Sequence, residues 1–553
     1  MDELLSFELS NAEFNPWIVP TQPEGRLAKF VHNEIDGENF GETLGNLADT
    51  VWDVLENRGS SKLLSYEADV YEEPVWITAE QFADYIQVDR SDAFNYLSVY
   101  FNVKDDNHPP LYFMALHTVS SLFQGRADAW MGCLVNLIAL TAVMVLLIRI
   151  GRLLAESFGF PEYARVTGIL CAMLYGSSAG AISTALLIRM YGLVTLWCVA
   201  YFYLIMRKWT HREFERRNFG LILVTMLGFW TQYFFLFYCI ILALTVSVLL
   251  LRDRRVRELG CFVRSMAIAA AVGVAAFPFA ISDVFSSGRG VEALNSLSEG
   301  FSGYSVRLWA FMRILGGRTF FPFFWVLLGL MVLLVMKNGR TGKGNSEKNG
   351  GKAPFVWMLI LPSTGYFLLA ARMSPYLVDR YIMPVFPFVI LIGILSMVAV
   401  FAALKGRYGL TWQGRFIEVI CAVALLAQMA GIFLYDGSYL YQGYSLQEYI
   451  AAKYSDYPCI CIYDGVGYYE NLPEFTHYKK TLLLTFDQLE NRIDRSSIQE
   501  LDTVAVLVKD SSAYELIQVT DILTEQYGFS VESYGWRGAG VHGDWLIIMG
   551  KDV

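Results

Sequence analysis

The sequence predicts an all-α polytopic membrane protein of about ten transmembrane helices, followed by a C-terminal extracytoplasmic α/β domain. Three observations predict it. The chain has 553 residues, is 55% hydrophobic and has a mean hydropathy of +0.38. Only 17% of it is charged, against about a quarter in ordinary soluble domains. The deficit is concentrated in long apolar runs, and every second connection between those runs is basic.

The first run, "MGCLVNLIALTAVMVLLI" (131–148), has no charge over a length that spans a bilayer core. Further runs cover 166–184, 187–206, 219–251, 264–282, 320–336, 355–371, 382–404 and 416–435. The run 219–251 is too long for one span at about 1.5 Å per residue, so it reads as two spans with a turn near Thr231–Tyr233. Arg149, Arg152 and Arg165, then "RKWTHREFERR" (207–217), "RDRRVRE" (252–258), the glycine-rich basic stretch 337–352 and "KGRYGLTWQGR" (405–415) occupy alternate connections. The positive-inside rule puts these in the cytoplasm and both termini outside. Residues 1–108 carry 22 Asp and Glu against 6 Lys and Arg, which suits an outer segment. The net charge of −10 argues against a nucleic-acid partner.

Three parts follow. Residues 1–108 are a first extracytoplasmic segment that opens on an acidic pair. Within it "LGNLADTVWDVLENR" (44–58) places Leu44, Leu47, Val51 and Val54 on one helical face. Residues 109–435 are the membrane body. Residues 436–553 alternate strand-like runs ("CICIYD", "KTLLLTF", "TVAVLVKD", "WLIIMG") with helical stretches ("LQEYIAAKY", "AYELIQVTDILTEQY"), an α/β pattern. The eight cysteines fit no disulfide framework. Cys459 and Cys461 alternate onto one strand face and read as small core residues rather than a disulfide or metal pair. "DGVGYYE" (464–470) lacks the third glycine of a dinucleotide fingerprint, and the stretch 337–352 holds no correctly spaced phosphate loop.

Candidate chemistry gathers at the outer ends of the spans. In "DDNHPPLYFMALHTVSSLF" (105–123), Asp106 and His108 precede a proline pair that suits the start of an aromatic helix lying along the interface. In the bland reading Asp106 caps that helix and His108 packs against it. "LLIRMYG" places Arg189 and Tyr191 between two apolar runs, and "SPYLVDRYIMPVFP" places Asp379, Arg380 and Tyr381 just before another. Arginines so placed suit a lipid phosphate, which guanidinium binds bidentately. They would otherwise snorkel to water, with Asp379 neutralising Arg380 or Arg372.

In their order along the chain, the acidic pair of "MDELLSFELSN", then "D-x-H-P-P-L-Y", "R-M-Y", "Y-F-F-L-F" and "R-Y-x-x-P" resemble the GT-C membrane glycosyltransferases. Within that family it resembles the protein O-mannosyltransferases and aminoarabinose transferases, including bacterial family 39-like members. The resemblance implies a multi-pass plasma-membrane enzyme. It would transfer a sugar from a polyprenyl-phosphate donor to a hydroxyl of an unidentified acceptor on the outer face, inverting the anomeric carbon. It implies Asp2 as general base with Glu3 beside it, Asp106 and His108 at the same site, and Arg189, Tyr191, Arg380 and Tyr381 binding the donor. No metal is predicted and no cofactor is certain, although Asp2, Glu3, Asp106 and His108 could serve a divalent cation. The resemblance also implies a span ahead of the acidic pair. Only Met1 precedes Asp2, and the expectation is a chain truncated at its start, with eleven spans in the full protein; loss of that helix with impaired function is the other account. Two other functions compete. A transporter or flippase would need ionisable groups within its spans, and here they sit at the ends. A non-catalytic membrane assembly protein would not need the clustered acidic, histidine and arginine motifs.

Overall fold

The computed structural model describes residues 2–11, 45, 76–90, 92–103, 108–285, 301–319, 352–408, 423, 426, 444–463, 471–491, 495–511, 513–537 and 543–551. The predicted helical face at 44–58, the apolar runs 320–336 and 416–435, the basic stretch up to residue 351, Cys421 and "DGVGYYE" lie outside these, single residues aside. The chain divides into two compact units: residues 1–106, 113–131 and 440–553 form one, and 107–112 with 132–439 form the other.

The first unit begins with helix α1 (Asp2–Asn11), strand β1 (Trp76–Thr78), α2 (Ala79–Ile86) and α3 (Tyr96–Asn102). Thr78 and Gln81 form a capping box that starts α2 where β1 stops: the Gln81 amide donates to the Thr78 hydroxyl, and the Thr78 amide donates to Gln81 Oε1. Helix α4 (Leu111–Leu122) follows the proline pair directly. Tyr112, Phe113, Leu116, His117, Ser120 and Ser121 are all buried, so most of its circumference packs into protein.

The second unit is helical. Its elements are α5 (Ala129–Ser157), α6 (Ala164–Gly176), α7 (Ala179–Leu186), α8 (Tyr191–His211), α9 (Phe219–Phe229), α10 (Phe235–Arg252), α11 (Val256–Ala276), α12 (Phe301–Thr319), α13 (Ala353–Met373) and α14 (Phe386–Tyr408), with a 3-10 segment at Asp379–Val385. Among the described residues, five helices are long and apolar enough to cross a membrane: α5, α10, α11, α13, and the 3-10 segment continued into α14. The pair α6–α7, bent by 56°, makes a sixth if it is one broken span. The bend lies at Ser178, whose hydroxyl donates to the Tyr175 carbonyl and accepts from the Ala181 amide, ending one helix and capping the next. The long run does split, at Trp230–Phe234. Thr231 donates back to the Leu227 carbonyl, and Gly228 lies where any Cβ would meet the Phe235 ring at 2.6 Å. Helix α9 has only 11 residues, too few to span alone. Helix α8 has 21 residues but buries Tyr191, Thr195, Tyr201, Phe202 and Trp209, and a helix enclosed by neighbours does not need a uniformly apolar surface.

Helices α5 and α6 cross at Gly151 and Gly168, where each glycine's absent Cβ would strike the opposing backbone. Pro362 sits inside α13 and removes one backbone donor, and the adjacent Ser363 hydroxyl donates to the Leu359 carbonyl.

The tail completes the first unit with α15 (Tyr444–Lys453), β2 (Cys459–Ile462), β3 (Lys480–Leu484), β4 (Thr503–Ser511), α16 (Ala513–Tyr527), β5 (Ser530–Arg537) and β6 (Gly543–Gly550). The four predicted strands and two predicted helices are all present. Strand β5 is additional, entered through Gly528 at φ +76° after α16. The sheet order is β1-β3-β2-β4-β6-β5, with β3, β2 and β4 parallel and the remaining pairings antiparallel. Strand β1 therefore joins the tail's sheet from just over 400 residues upstream of its partner strand, with Trp76 opposite Leu482. Phe82 of α2 meets Phe475 at 5.0 Å between ring centroids. Cys459 and Cys461 are fully buried in β2, as core residues.

Candidate functional site

Within the second unit, four of the motifs singled out in the sequence meet around one turn. The Leu111 amide, at the end of "HPPL", donates to the Trp230 carbonyl at 3.0 Å. Trp230 opens the α9–α10 turn and is itself tied by its indole to the Gly273 carbonyl. Phe234, from "YFFLF" in the same turn, packs its ring 5.7 Å from Tyr381. Tyr191, from "RMY", meets Tyr381 edge-on at 6.1 Å. Arg380 lies with its guanidinium 5.3 Å from the Tyr381 ring and 5.9 Å from Tyr376.

The 3-10 segment that carries Arg380 and Tyr381 is held at both ends. Asp379, 4% exposed, accepts a 2.7 Å hydrogen bond from Ser183 Oγ of α7. The same carboxylate oxygen stands 2.7 Å from Arg318 Nε of α12. Further along, Tyr366 of α13 donates to the Tyr381 carbonyl at 3.1 Å. Asp379 pairs with Arg318, an arginine other than the two, Arg380 and Arg372, that the sequence offered as its partners. Gly180 permits this approach: a Cβ there would sit 2.8 Å from the Arg318 carbonyl oxygen and 2.5 Å from the Phe386 ring.

Arg189 lies in the short linker between α7 and α8, 3% exposed. The linker is seated on α5. Asn136 Nδ2 donates to the Leu187 carbonyl at 2.5 Å, and Gly132 leaves room for Ile188. Gly192, one residue past Tyr191, accommodates the Asn136 side chain, which a Cβ would meet at 2.5 Å. Across the turn, Tyr233 Oη donates to the buried Asp283 at 2.5 Å. The result is arginines and tyrosines on backbones fixed by hydrogen bonds in an apolar, aromatic shell. Such a cluster can hold an oxyanion with little reorganisation.

His108 is buried, 8% exposed, directly ahead of Pro109 and Pro110. Asp106 lies outside the described residues. Asp2 and Glu3 form the first turn of α1, and their side chains are outside the description. Helix α1 is firmly anchored in the first unit. Asn11 Nδ2 donates to the Ile86 carbonyl at 2.8 Å and to Ser120 Oγ of α4 at 3.1 Å, and Asn102 donates to the Leu9 carbonyl. Beside this contact, burial lowers the pKa of His117, while the backbone carbonyls of Ser10 and Asp92 oppose the shift. Burial also raises Asp92 to about 7, helped by the hydrogen bond to Asp89. No group of three or more His, Cys, Asp or Glu able to hold a metal stands together among the described residues.

Sequence reasoning missed Arg318, Ser183 and Asn136. Arg318 carries the mark that drew attention to Arg189 and Arg380, an arginine immediately ahead of an apolar run. Asn136 is a lone amide inside a span, where a polar group needs a partner. Ser183 gave no signal.

No family model matches the sequence, and no curated protein does. Among solved structures the chain is similar to ArnT from Cupriavidus metallidurans in the apo state, at 11% identity and a TM-score of 0.39. That similarity covers 99% of this chain and 95% of the other.

Proposed function

We propose that the protein is a GT-C-type membrane glycosyltransferase that moves a sugar from a polyprenyl-phosphate donor to an acceptor hydroxyl on the outer face. The observation that carries this reading is the convergence of "HPPL", "RMY", "YFFLF" and "DRY" on the α9–α10 turn, with Arg380 and Tyr381 on a backbone pinned by Asp379 and Tyr366. In the reaction the acceptor oxygen forms a new bond to the anomeric carbon as the bond from that carbon to the phosphate oxygen breaks, with inversion. The acceptor proton passes to a carboxylate, for which Asp2 is the candidate, with Glu3, Asp106 and His108 as its expected companions. The departing lipid phosphate gains charge, which Arg189 and Arg380 are suited to stabilise. Tyr191 and Tyr381 would set the wall against which the donor lies.

The test is transfer by full-length protein in liposomes, using a panel of labelled polyprenyl-phosphate sugars and a mixed acceptor extract. Wild type is expected to release polyprenyl phosphate from at least one donor. Asp2→Asn and Arg380→Gln are each expected to lower kcat by about a hundredfold or more, in line with loss of one electrostatic or acid–base group. Absence of turnover across the panel, or full activity of both variants, would defeat the reading.

A further inference from the structure

His117 is a buried ionisable side chain that the proposed reaction leaves without a role. It lies on α4 and is 1% exposed. Three segments of the first unit close over it. The C-terminal end of α1 brings the Ser10 carbonyl, and the loop ahead of α3 brings the Asp92 carbonyl. Helix α3 brings the Tyr96 ring, edge-on at 5.8 Å between centroids. Neither ring nitrogen of His117 makes a hydrogen bond among the described residues. The surrounding segments are instead fixed to α4 beside it. Asn11 donates to Ser120 Oγ, the Phe94 amide donates to Ser121 Oγ at 2.9 Å, and the Tyr96 and Thr118 hydroxyls share a 3.0 Å hydrogen bond.

The charges around the imidazole would serve an imidazolium poorly. Helix α4 has no Asp, Glu, Lys or Arg between Leu111 and Leu122. On the loop, burial and the hydrogen bond to Asp89 keep Asp92 protonated up to about pH 7. The Asp89 carboxylate is turned to Asp92, whose amide donates to it at 3.3 Å, and Arg90 is exposed. On α3 the ionisable groups are Tyr96 and Tyr100, both neutral in mild acid. The acidic residues of α1 are Asp2, Glu3 and Glu8, whose side chains are outside the description. Burial makes the charged ring costly and lowers the His117 pKa, against the pull of the two carbonyls. An opening that lets the ring reach water therefore gains a proton below about pH 6.5, and the closed state loses stability there.

The part that can open is local. The end of α1 is tied by the Asn11 bonds to Ile86 and Ser120 and by the bond from Asn102 to the Leu9 carbonyl. The apolar cluster of the tail sheet, from Ile460 to Met549, contains no residue of α1. We propose that His117 is an acid-sensitive latch on α1. In mild acid the imidazole takes up a proton, and the C-terminal end of α1 parts from α4 and from the loop ahead of α3 while the tail sheet stays folded. Helix α1 carries Asp2 and Glu3 in its first turn, so the latch governs how firmly that pair is held. The proposal does not depend on the glycosyltransferase reading.

Hydrogen exchange of the full chain in detergent micelles, corrected for intrinsic rates, tests it at pH 7 and pH 5.5. The background is Asp92→Asn, because Asp92 titrates nearby with the opposite sign and would mask the effect. An imidazole with an open-state pKa of about 6.5 raises the opening constant by at most about eightfold over this interval. In Asp92→Asn the α1 peptides are expected to open at least about threefold more at pH 5.5, with α16 peptides unchanged. Adding His117→Gln or His117→Asn is expected to abolish the rise. No rise in Asp92→Asn, or an equal rise after either His117 substitution, would overturn the proposal. Should both His117 variants already open α1 at pH 7, histidine-ring NMR of Asp92→Asn decides. A His117 midpoint that coincides with the exchange midpoint supports the latch, and one that does not coincide refutes it.

Discussion

Replacing Asp379 by Asn takes the charge out of the ion pair that anchors the 3-10 segment. The Arg318 and Asp379 side chains are 11% and 3% exposed, and Nε lies 2.7 Å from Oδ2. Removing one partner of a buried pair leaves the other charge uncompensated, at a cost of about 3–5 kcal/mol. Arg318 keeps a little access to solvent, which places Asp379→Asn near the lower end, about 3 kcal/mol. Ser183 can still donate to the amide oxygen, so its bond, about 1 kcal/mol, is retained. Arg318→Gln strands the less exposed carboxylate and costs about the same or more. The double variant buries no lone charge, so its cost falls well below the sum of the two. The expected coupling is at least about 2 kcal/mol. Unfolding by SDS titration in mixed micelles, followed by circular dichroism, measures all four corners of this cycle. Additive single costs would refute the claim that this pair is what holds Asp379.

Three further outcomes follow from the same geometry. Gly180→Ala forces a Cβ against the Arg318 carbonyl and the Phe386 ring and should cost about 1–3 kcal/mol in the same titration, whereas Gly260→Ala, in an open helical position, should be neutral or gain up to about 1 kcal/mol. Asn11→Ala removes the two bonds that the Asn11 side chain makes at the end of α1, at about 1–3 kcal/mol, and should raise hydrogen exchange across α1 more than across α16. Asp92 binds its proton more tightly in the folded state, at about 7 against 3.8, so its contribution to stability is lost as pH rises through 7; Asp92→Asn should flatten the fall in Tm between pH 5 and 8, while buried neutral His117 makes wild type lose stability as pH drops below 6.5.

The site was legible in part, and the reason is local. Proline pairs, an arginine ahead of an apolar run and a tyrosine beside it are short-range marks, and they pointed to "HPPLY", Arg189, Tyr191, Arg380 and Tyr381. Arg318 carried the same mark and was passed over. Ser183 could not have been found, because its importance is a single contact with a residue 196 positions away. That most of α4 is buried in protein was not legible, because its aromatic face suits both a membrane surface and a protein interior, and period alone does not separate them.

By itself, the sequence determined that this is a multi-pass membrane protein with a separate α/β region, since hydropathy and residue alternation depend only on nearby residues and on which solvent each face meets. It also determined where the long run 219–251 divides. Only the tertiary structure decided that β1 closes onto the tail's sheet, that Asp379 belongs to Arg318, and that four motifs meet on the α9–α10 turn. Those are pairings between groups of ordinary local appearance, selected by the need to satisfy buried charges and backbone donors across long separations in the chain.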